Sequence, residues 1–233
     1  MTGFTSIVDG QSGERLIRNA FSKTGPLKDV KGIDAKTVTF WTGRVPDTLI
    51  DVWVNFGIGT LNDGRLRLCL PEEFEPVTKI LFGNDPDFFG DTYAIAVGAF
   101  GDIFFWSERH WLCQFSIYRM AFFAPALFHP DLKKNSNKTV IDYILSADPW
   151  ASDMGDIDGK PMYSRVREAL GPLPEKSLYG IMPEPGNPDN FRVEAIQIVP
   201  ELEYLKLALD TMTFLVTDPA TNDVKQRVGA NKW

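Results

Sequence analysis

Apolar residues recur at helical spacing in several stretches of the chain. The clearest stretch runs from Pro46 to Gly57. Proline suits the first turn of a helix and glycine suits its end, so both boundaries of this helix are marked. Trp53 lies on its apolar face and is predicted to be a core residue. The same spacing predicts a helix start at residues 71–74 and further helices over residues 12–22, 138–145, 161–170 and 200–212.

Alternating polar and apolar residues predict strands in the middle of the chain. Residues 65–70 alternate strictly, and three further strands are predicted over residues 92–98, 102–106 and 111–118. Turn-length gaps separate these three strands, as in an antiparallel meander. The five prolines between Pro172 and Pro188 predict a long ordered loop, and the polar tail from Pro219 to Trp233 is expected to be loose. The pattern therefore predicts an α+β fold, with a central antiparallel sheet flanked by helices and two closely packed halves.

The composition narrows the function classes. The chain has 233 residues, 44% of them hydrophobic, which is enough for a sizeable core. Its net charge of −7 disfavours direct binding to nucleic acid. The same charge favours attraction to a basic partner, and solubility is the competing interpretation. No apolar run approaches a membrane span and no signal peptide is recognised at the N-terminus, so a cytoplasmic protein with two reduced cysteines is expected.

Two short patterns suggest metal ligands, but both are incomplete. His110 and Cys113 lie three residues apart, yet the second ligand pair of a structural zinc site is missing. Residues 153–159 hold three aspartates before a glycine, as calcium loops do. Alignment on that glycine places Met154 and Arg165 at the first and last ligand positions, where oxygen donors are needed. A phosphate-binding glycine loop and a nucleophile elbow are also missing, so the sequence predicts no catalytic residue, no metal and no cofactor.

One series of short motifs is more specific than the composition. It resembles the GAD-like domain, in which a helix with a buried tryptophan leads through a glycine turn and a "DG" hairpin to a "P-E-E" helix. The motifs occur in the expected order, as Val45-Pro46, Leu49, Trp53, Gly57-Ile58-Gly59, Asp63-Gly64-Arg65 and Pro71-Glu72-Glu73-Phe74-Glu75-Pro76-Val77. Residues 99–106 resemble the closing strand pair of that domain.

The second half of the chain resembles the C-terminal domain of type VI secretion immunity proteins. This resemblance rests on residues 169–173, residues 178–183 and the leucine-rich helix near the C-terminus. One departure is the segment 184–188, Glu-Pro-Gly-Asn-Pro, where a glycine-rich patch is common. The two resemblances imply a GAD-like domain over residues 1–130 and an immunity-protein domain over residues 131–233.

The resemblance implies a function that the residues alone do not. Such proteins bind a cognate DNase toxin and block or distort its active site, which protects the producing cell and its kin. We therefore expect a one-to-one complex with a basic nuclease and no enzymatic activity. Exposed loops with aromatic and acidic residues suit such an interface. The candidate partner-binding residues are Asp85, Asp87, Phe88 and Phe89 in one loop and Glu184, Asp189, Asn190 and Phe191 in another.

Two other function classes stay open. An α+β module that senses a small molecule would need a deep pocket with convergent polar groups. An enzyme would need a constellation that the motifs do not supply. For Phe88 and Phe89, a place in the hydrophobic core is the competing interpretation.

Overall fold

The computed structural model describes residues 3–185 and 187–229. Helices account for much of this part of the chain and flank a large sheet. The α-helices are α1 Gly13–Thr24, α2 Ala35–Trp41, α3 Asp47–Asn55, α4 Glu75–Phe82, α5 Pro125–Phe128, α6 Ser136–Val140, α7 Tyr163–Leu170 and α8 Glu201–Thr211. A π-helical turn, Ile141–Leu145, continues α6, and a 3-10 turn, Pro71–Phe74, precedes α4. In the described part of the chain, no helix is long and apolar enough to cross a membrane.

The strands are mostly short, and nine of them form one sheet. They are β1 Ile7–Val8, β2 Gln11–Ser12, β3 Lys28–Lys31, β4 Ile58–Leu61, β5 Leu66–Leu68, β6 Thr92–Gly98, β7 Ile103–Ser107, β8 Trp111–Ser116, β9 Ala121–Phe123, β10 Ser177–Ile181, β11 Ile196–Pro200, β12 Leu215–Thr217 and β13 Val224–Arg227. The order in the large sheet is β13-β12-β9-β8-β7-β6-β5-β4-β3. Every neighbouring pair in it is antiparallel except β12 with β9. This confirms the predicted α+β fold with a central, mostly antiparallel sheet.

Two hydrophobic clusters cover the two faces of the sheet. On one face, Trp53 from α3 is 1% exposed and packs with the apolar residues of α1 and of the turn after α6. On the other face, α4 and α8 pack over a cluster of phenylalanines that includes Phe105 and Phe122. The prediction that Trp53 lies in the core is confirmed. Both faces of the sheet are buried, which explains why the central strands are apolar almost throughout.

A third cluster joins the end of the β6–β7 hairpin to the C-terminal part of the chain. Phe100 lies in this hairpin turn and contacts Tyr163 of α7 and Tyr179 of β10. The backbone N–H of Tyr179 donates a hydrogen bond to the Ala99 carbonyl oxygen at 2.8 Å. Strand β12 belongs to the C-terminal part as well, yet it pairs with β9. The segments on the two sides of residue 130 therefore share one sheet, and a domain boundary at that residue stays a prediction.

Strands β3 and β4 approach each other closely because two glycines, Gly57 just before β4 and Gly59 within it, have no Cβ atom. A Cβ on Gly57 or Gly59 would overlap the backbone carbonyl oxygens of Lys31 and Lys28. Gly57 also has a φ of +80°, which other residues rarely adopt. These two glycines therefore place β3 at the outer edge of the sheet, where all four of its residues are exposed.

Two sequence predictions were wrong. The segment between Pro172 and Pro188 is not all loop, because it contains the five-residue strand β10. The tail contains β13, which pairs with β12, and Val228 after it is buried. Flanking prolines concealed β10, whereas the polar composition of β13 concealed a strand whose position depends on pairing. Residues 230–233 of the tail lie outside the described residues.

Candidate functional site

The loop between α4 and β6 holds four of the candidate partner-binding residues, and two of them are inside the fold. The Asp85 carboxylate is fully buried and accepts hydrogen bonds from the backbone N–H groups of Gly229, at 2.7 Å, and Asp87, at 2.9 Å. Phe88 is also fully buried, with its ring 4.7 Å from that of Phe122. The expectation that Asp85 lies exposed on this loop was therefore wrong. For Phe88, the competing interpretation, a place in the hydrophobic core, is confirmed.

The two remaining residues of this loop are accessible. Phe89 is 64% exposed, although the loop on both sides of it is fixed. The Arg109 guanidinium donates hydrogen bonds to the backbone oxygens of Pro86, at 2.8 Å, and Phe89, at 3.4 Å. It also forms an ion pair with Asp91. The Asp87 carboxylate pairs with Lys225 of β13 at 2.9 Å. An open depression of about 590 Å³ lies beside Phe89.

The second candidate loop, residues 184–191, is mostly exposed and is held by its own polar groups. The Glu184 carboxylate accepts a hydrogen bond from the Asn187 side chain at 2.7 Å. The Asn187 side chain in turn accepts one from the Asp189 backbone N–H at 3.0 Å. Gly186 lies outside the described residues. Neither Glu184 nor Asp189 is buried in the isolated chain.

The end of this second loop packs inward. Phe191 is partly buried, with its ring 6.5 Å from that of Tyr118 after β8. Its carbonyl oxygen accepts a hydrogen bond from the Ile157 backbone N–H at 3.0 Å. Asn190 is also partly buried. The two candidate loops thus contact different parts of the molecule, and partner binding by their exposed residues stays a prediction.

A cleft of about 750 Å³ lies between the β3–β5 edge of the sheet and the C-terminal part of the chain. Ion pairs cross its mouth, because Lys31 of β3 pairs with Glu175, and Asp63 pairs with both Lys28 and Arg167. The sequence motifs gave no sign of this cleft. Its walls come from residues between 28 and 99 and residues between 163 and 201, so only the folded chain brings them together.

A buried ionic network lies at the base of the cleft. Arg67 of β5 donates hydrogen bonds to both carboxylate oxygens of Glu201, at 2.9 and 2.8 Å, and to Glu73 at 2.9 Å. Glu201 is 4% exposed. Burial raises the pKa of Glu201, and the Arg67 charge lowers it in part. Removal of one partner from such a network leaves an uncompensated buried charge, so the network fixes α8 against the sheet.

Burial shifts the pKa values of the two cysteines and of His110. Cys69 and Cys113 are both buried, and burial raises the pKa of each thiol. A raised pKa disfavours the nucleophilic thiolate form. Burial lowers the pKa of His110, whose ring lies 5.4 Å from that of Phe88. Within residues 3–185 and 187–229, no group of three or more histidines, cysteines or carboxylates is placed to hold a metal ion.

The acidic segment 153–158 satisfies its carboxylates internally. Asp153 accepts hydrogen bonds from the backbone N–H groups of Met154, at 2.7 Å, and Tyr163, at 2.9 Å. Asp156 accepts from backbone N–H groups of the same turn and pairs with Arg165 at 2.6 Å. The carboxylates therefore hold the turn that leads into α7.

Comparison with known proteins supports the fold and one of the two resemblances. The crystal structure of Atu4351 from Agrobacterium tumefaciens superimposes with a TM-score of 0.83, at 22% sequence identity, and the match covers 91% of this chain and 97% of that one. This similarity establishes a shared fold. None of the curated proteins compared with this chain matches it. A GAD-like domain is matched over residues 15–118, which include β3 to β8 and the loop that carries Phe89. Residues 15–118 of this chain are therefore similar to a GAD-like domain.

Proposed function

We propose that this chain is an immunity protein, which binds a cognate DNase toxin one-to-one and neutralises it by blocking or distorting its active site. The observation that carries the proposal is Phe89, a large apolar side chain that is 64% exposed on a loop fixed from both sides. Exposed aromatic residues on rigid supports are typical anchors of protein interfaces. The resemblance of residues 169–183 to type VI secretion immunity proteins supplies the class of partner.

The way in which the loop is held supports a role in recognition. Two of its neighbouring side chains, Asp85 and Phe88, are fully buried, so the main chain that carries Phe89 cannot relax into the core without disrupting them. Arg109 fixes the carbonyl oxygens of Pro86 and Phe89 from outside. A side chain presented in this way loses little conformational freedom on binding, which favours tight association.

The overall charge supports the same class of partner. A DNase must present a basic surface to its phosphate-rich substrate. A protein with a net charge of −7 is attracted to such a surface, which speeds the encounter. The proposal assigns no turnover to this chain, and we expect the complex to form in the cytoplasm, where the toxin would otherwise reach DNA.

The test is a binding titration with the inactivated nuclease domain encoded beside this gene. We expect a one-to-one complex whose association slows as salt is raised, because charge steering is screened within about 8 Å at physiological ionic strength. The variant Phe89→Ala should weaken binding at least about 30-fold, as the loss of an interface anchor of ~2 kcal/mol or more does. Tyr143→Ala is the matched control, since Tyr143 is an aromatic residue that is 61% exposed on the π-helical turn after α6, outside both candidate loops. Equal affinities for Phe89→Ala and the control, or no complex at all, would refute the proposal.

The cleft favours a second candidate function, a module that senses a small molecule. Its volume of about 750 Å³ is within the range of ligand sites, and charged groups of both signs line it. Screening a panel of charged metabolites by thermal unfolding tests this candidate. A ligand that raises the unfolding temperature in wild type, but not in a Ser177→Trp variant with a filled cleft, would support it. A panel without any such ligand would exclude those metabolites.

A further inference from the structure

Two groups of aromatic rings lie at the end of the sheet where β6 begins and the β7–β8 hairpin turns. We call these five residues the aromatic strip, and they are Phe40, Trp41, Tyr93, Trp106 and Trp111. In the first group, the ring centroids are 5.0 Å apart for Phe40 and Trp41 and 4.8 Å apart for Trp41 and Tyr93. In the second group, Trp106 stacks on Trp111 at 5.7 Å. Tyr93 and Trp106 are cross-strand partners of β6 and β7, so the two groups lie side by side on the sheet.

The strip has a buried floor and an accessible outer layer. Trp41 and Trp106 are 5% and 4% exposed and belong to the core that covers this face of the sheet. Phe40 is 54% exposed, and Tyr93 and Trp111 are partly exposed. Outer rings supported by buried rings keep fixed positions, which is the arrangement of a binding surface with rigid aromatic anchors.

Trp111 has a backbone conformation that its residue type disfavours. Its φ is +58°, in the left-handed region that glycine and asparagine commonly occupy at turns. A bulky residue held there costs about 1–3 kcal/mol, and such strain concentrates at functional sites. A glycine at this position would remove the strain. The hairpin turn itself does not require a tryptophan. The Trp111 ring packs on Trp106 in the core and remains partly exposed.

Two acidic side chains lie along the strip. The Trp41 indole N–H donates a hydrogen bond to Glu72 at 2.8 Å, and the Tyr93 hydroxyl donates one to Glu108 at 2.7 Å. Burial, assisted by Glu108, raises the pKa of Tyr93 to about 12, so this hydroxyl remains a donor near neutral pH. Both carboxylates are on exposed residues. Aromatic faces flanked by carboxylates suit the guanidinium and ammonium groups of a partner.

One ring of the strip already makes a cation–π contact with a neighbouring side chain of this protein. The Arg44 guanidinium lies 4.5 Å from the centroid of the Phe40 ring. Because Arg44 already lies over the Phe40 ring, a cation from a partner must take the place of Arg44 there or contact Trp111. The hairpin that carries Trp111 also carries Arg109, whose guanidinium contacts the Phe89 carbonyl oxygen. The strip and Phe89 therefore lie at the same end of the sheet.

We propose that the aromatic strip is the main docking surface for the basic nuclease, with Trp111 and Phe40 stacking against its arginine or lysine side chains. This inference rests on the function proposed above and extends its interface from Phe89 to the opposite side of the β7–β8 hairpin. It names two anchors, Phe40 and Trp111, that the sequence analysis did not select.

The test measures the affinity of the inactivated nuclease domain for the variants Trp111→Gly and Phe40→Ala. Glycine tolerates the positive φ of residue 111, so Trp111→Gly should retain the wild-type circular dichroism spectrum while its affinity falls at least about 30-fold. Phe40→Ala removes an exposed ring and should also weaken binding. Phe40 lies in α2, so this variant leaves the β7–β8 hairpin unchanged. Trp150→Ala is the control, because Trp150 is also 54% exposed but lies away from the strip. It is two residues before Ser152, and Ser152 lies beside Gly98 at the other end of β6.

The outcomes separate this inference from the proposed function. If wild type binds and both variants bind equally well, the strip is not the docking surface, whereas the proposed function stands. If Trp111→Gly fails to fold, Phe40→Ala decides alone. If wild type does not bind the nuclease domain, both the proposed function and the docking surface are refuted.

Discussion

Replacement of Asp102 by asparagine should stabilise the protein above pH 6 and leave its stability almost unchanged near pH 4. Asp102 begins the return from the β6–β7 turn and is 2% exposed. Its Oδ2 atom accepts a hydrogen bond from the Gln114 side chain at 2.8 Å, while Oδ1 has no hydrogen-bond partner within the described residues. Burial raises the pKa of this carboxyl from 3.8 to about 6, against the opposing effects of the nearby Ser116 hydroxyl, the Gln114 side chain and the Arg119 charge.

The raised pKa fixes the sign and the size of the effect. The folded state holds the proton more tightly than the unfolded state, so this stabilising contribution is complete below pH 3.8 and is lost as the pH rises through about 6. At about 1.4 kcal/mol per pKa unit, the loss amounts to roughly 3 kcal/mol. Asparagine has nearly the same shape and cannot ionise. The Asp102→Asn variant should therefore gain up to ~3 kcal/mol over wild type at pH 7.5.

Urea unfolding at several pH values between 4 and 7.5 measures this difference directly. Other carboxylates titrate in the same range, but they are common to both proteins and cancel in the comparison. Asp210→Asn, at an exposed position of α8, is the control for the same substitution outside the core. A gap between Asp102→Asn and wild type that does not change with pH would refute the reasoning. A variant less stable than wild type at pH 7.5 would also refute it.

Two further predictions concern packing. Trp53→Ala should lower the free energy of unfolding by about 3–5 kcal/mol, because Trp53 is 1% exposed in the core. Chemical denaturation measures this loss, and a variant with the same unfolding midpoint as wild type would contradict the packing described here. Phe88→Ala should cost about 3–5 kcal/mol, whereas Phe89→Ala should change stability by no more than ~0.5 kcal/mol, because the first ring is fully buried and the second is 64% exposed. Thermal unfolding of the two variants compares them, and similar losses would show that the loop is placed differently.

The sequence was sufficient for the central part of the fold. The meander β6–β8 and the helices α3 and α8 carry their own periodicity, and their positions could be read from apolar spacing alone. Strands β12 and β13 could not be read in this way. They are three and four residues long, and they are strands because β9 offers an edge to pair with.

The candidate site was only partly predictable, for a related reason. Composition selected the loop that carries Phe88 and Phe89, but two adjacent phenylalanines give no sign of which one is buried. The contacts of Phe88 with Phe82 and Phe122 decide it, and they depend on three separate elements. Trp111 was missed because its positive φ is a property of the folded hairpin. A bulky residue directly after a turn of charged residues was the available signal.

The central claim is that this chain neutralises a DNase by binding it one-to-one, and an inhibition titration tests it most directly. The purified chain is added in steps to the active nuclease domain encoded beside its gene, and cleavage of a DNA substrate is followed. The account predicts that activity falls linearly and vanishes at one equivalent, and that Phe89→Ala requires a larger amount. Undiminished DNA cleavage with a large excess of the wild-type chain would contradict it.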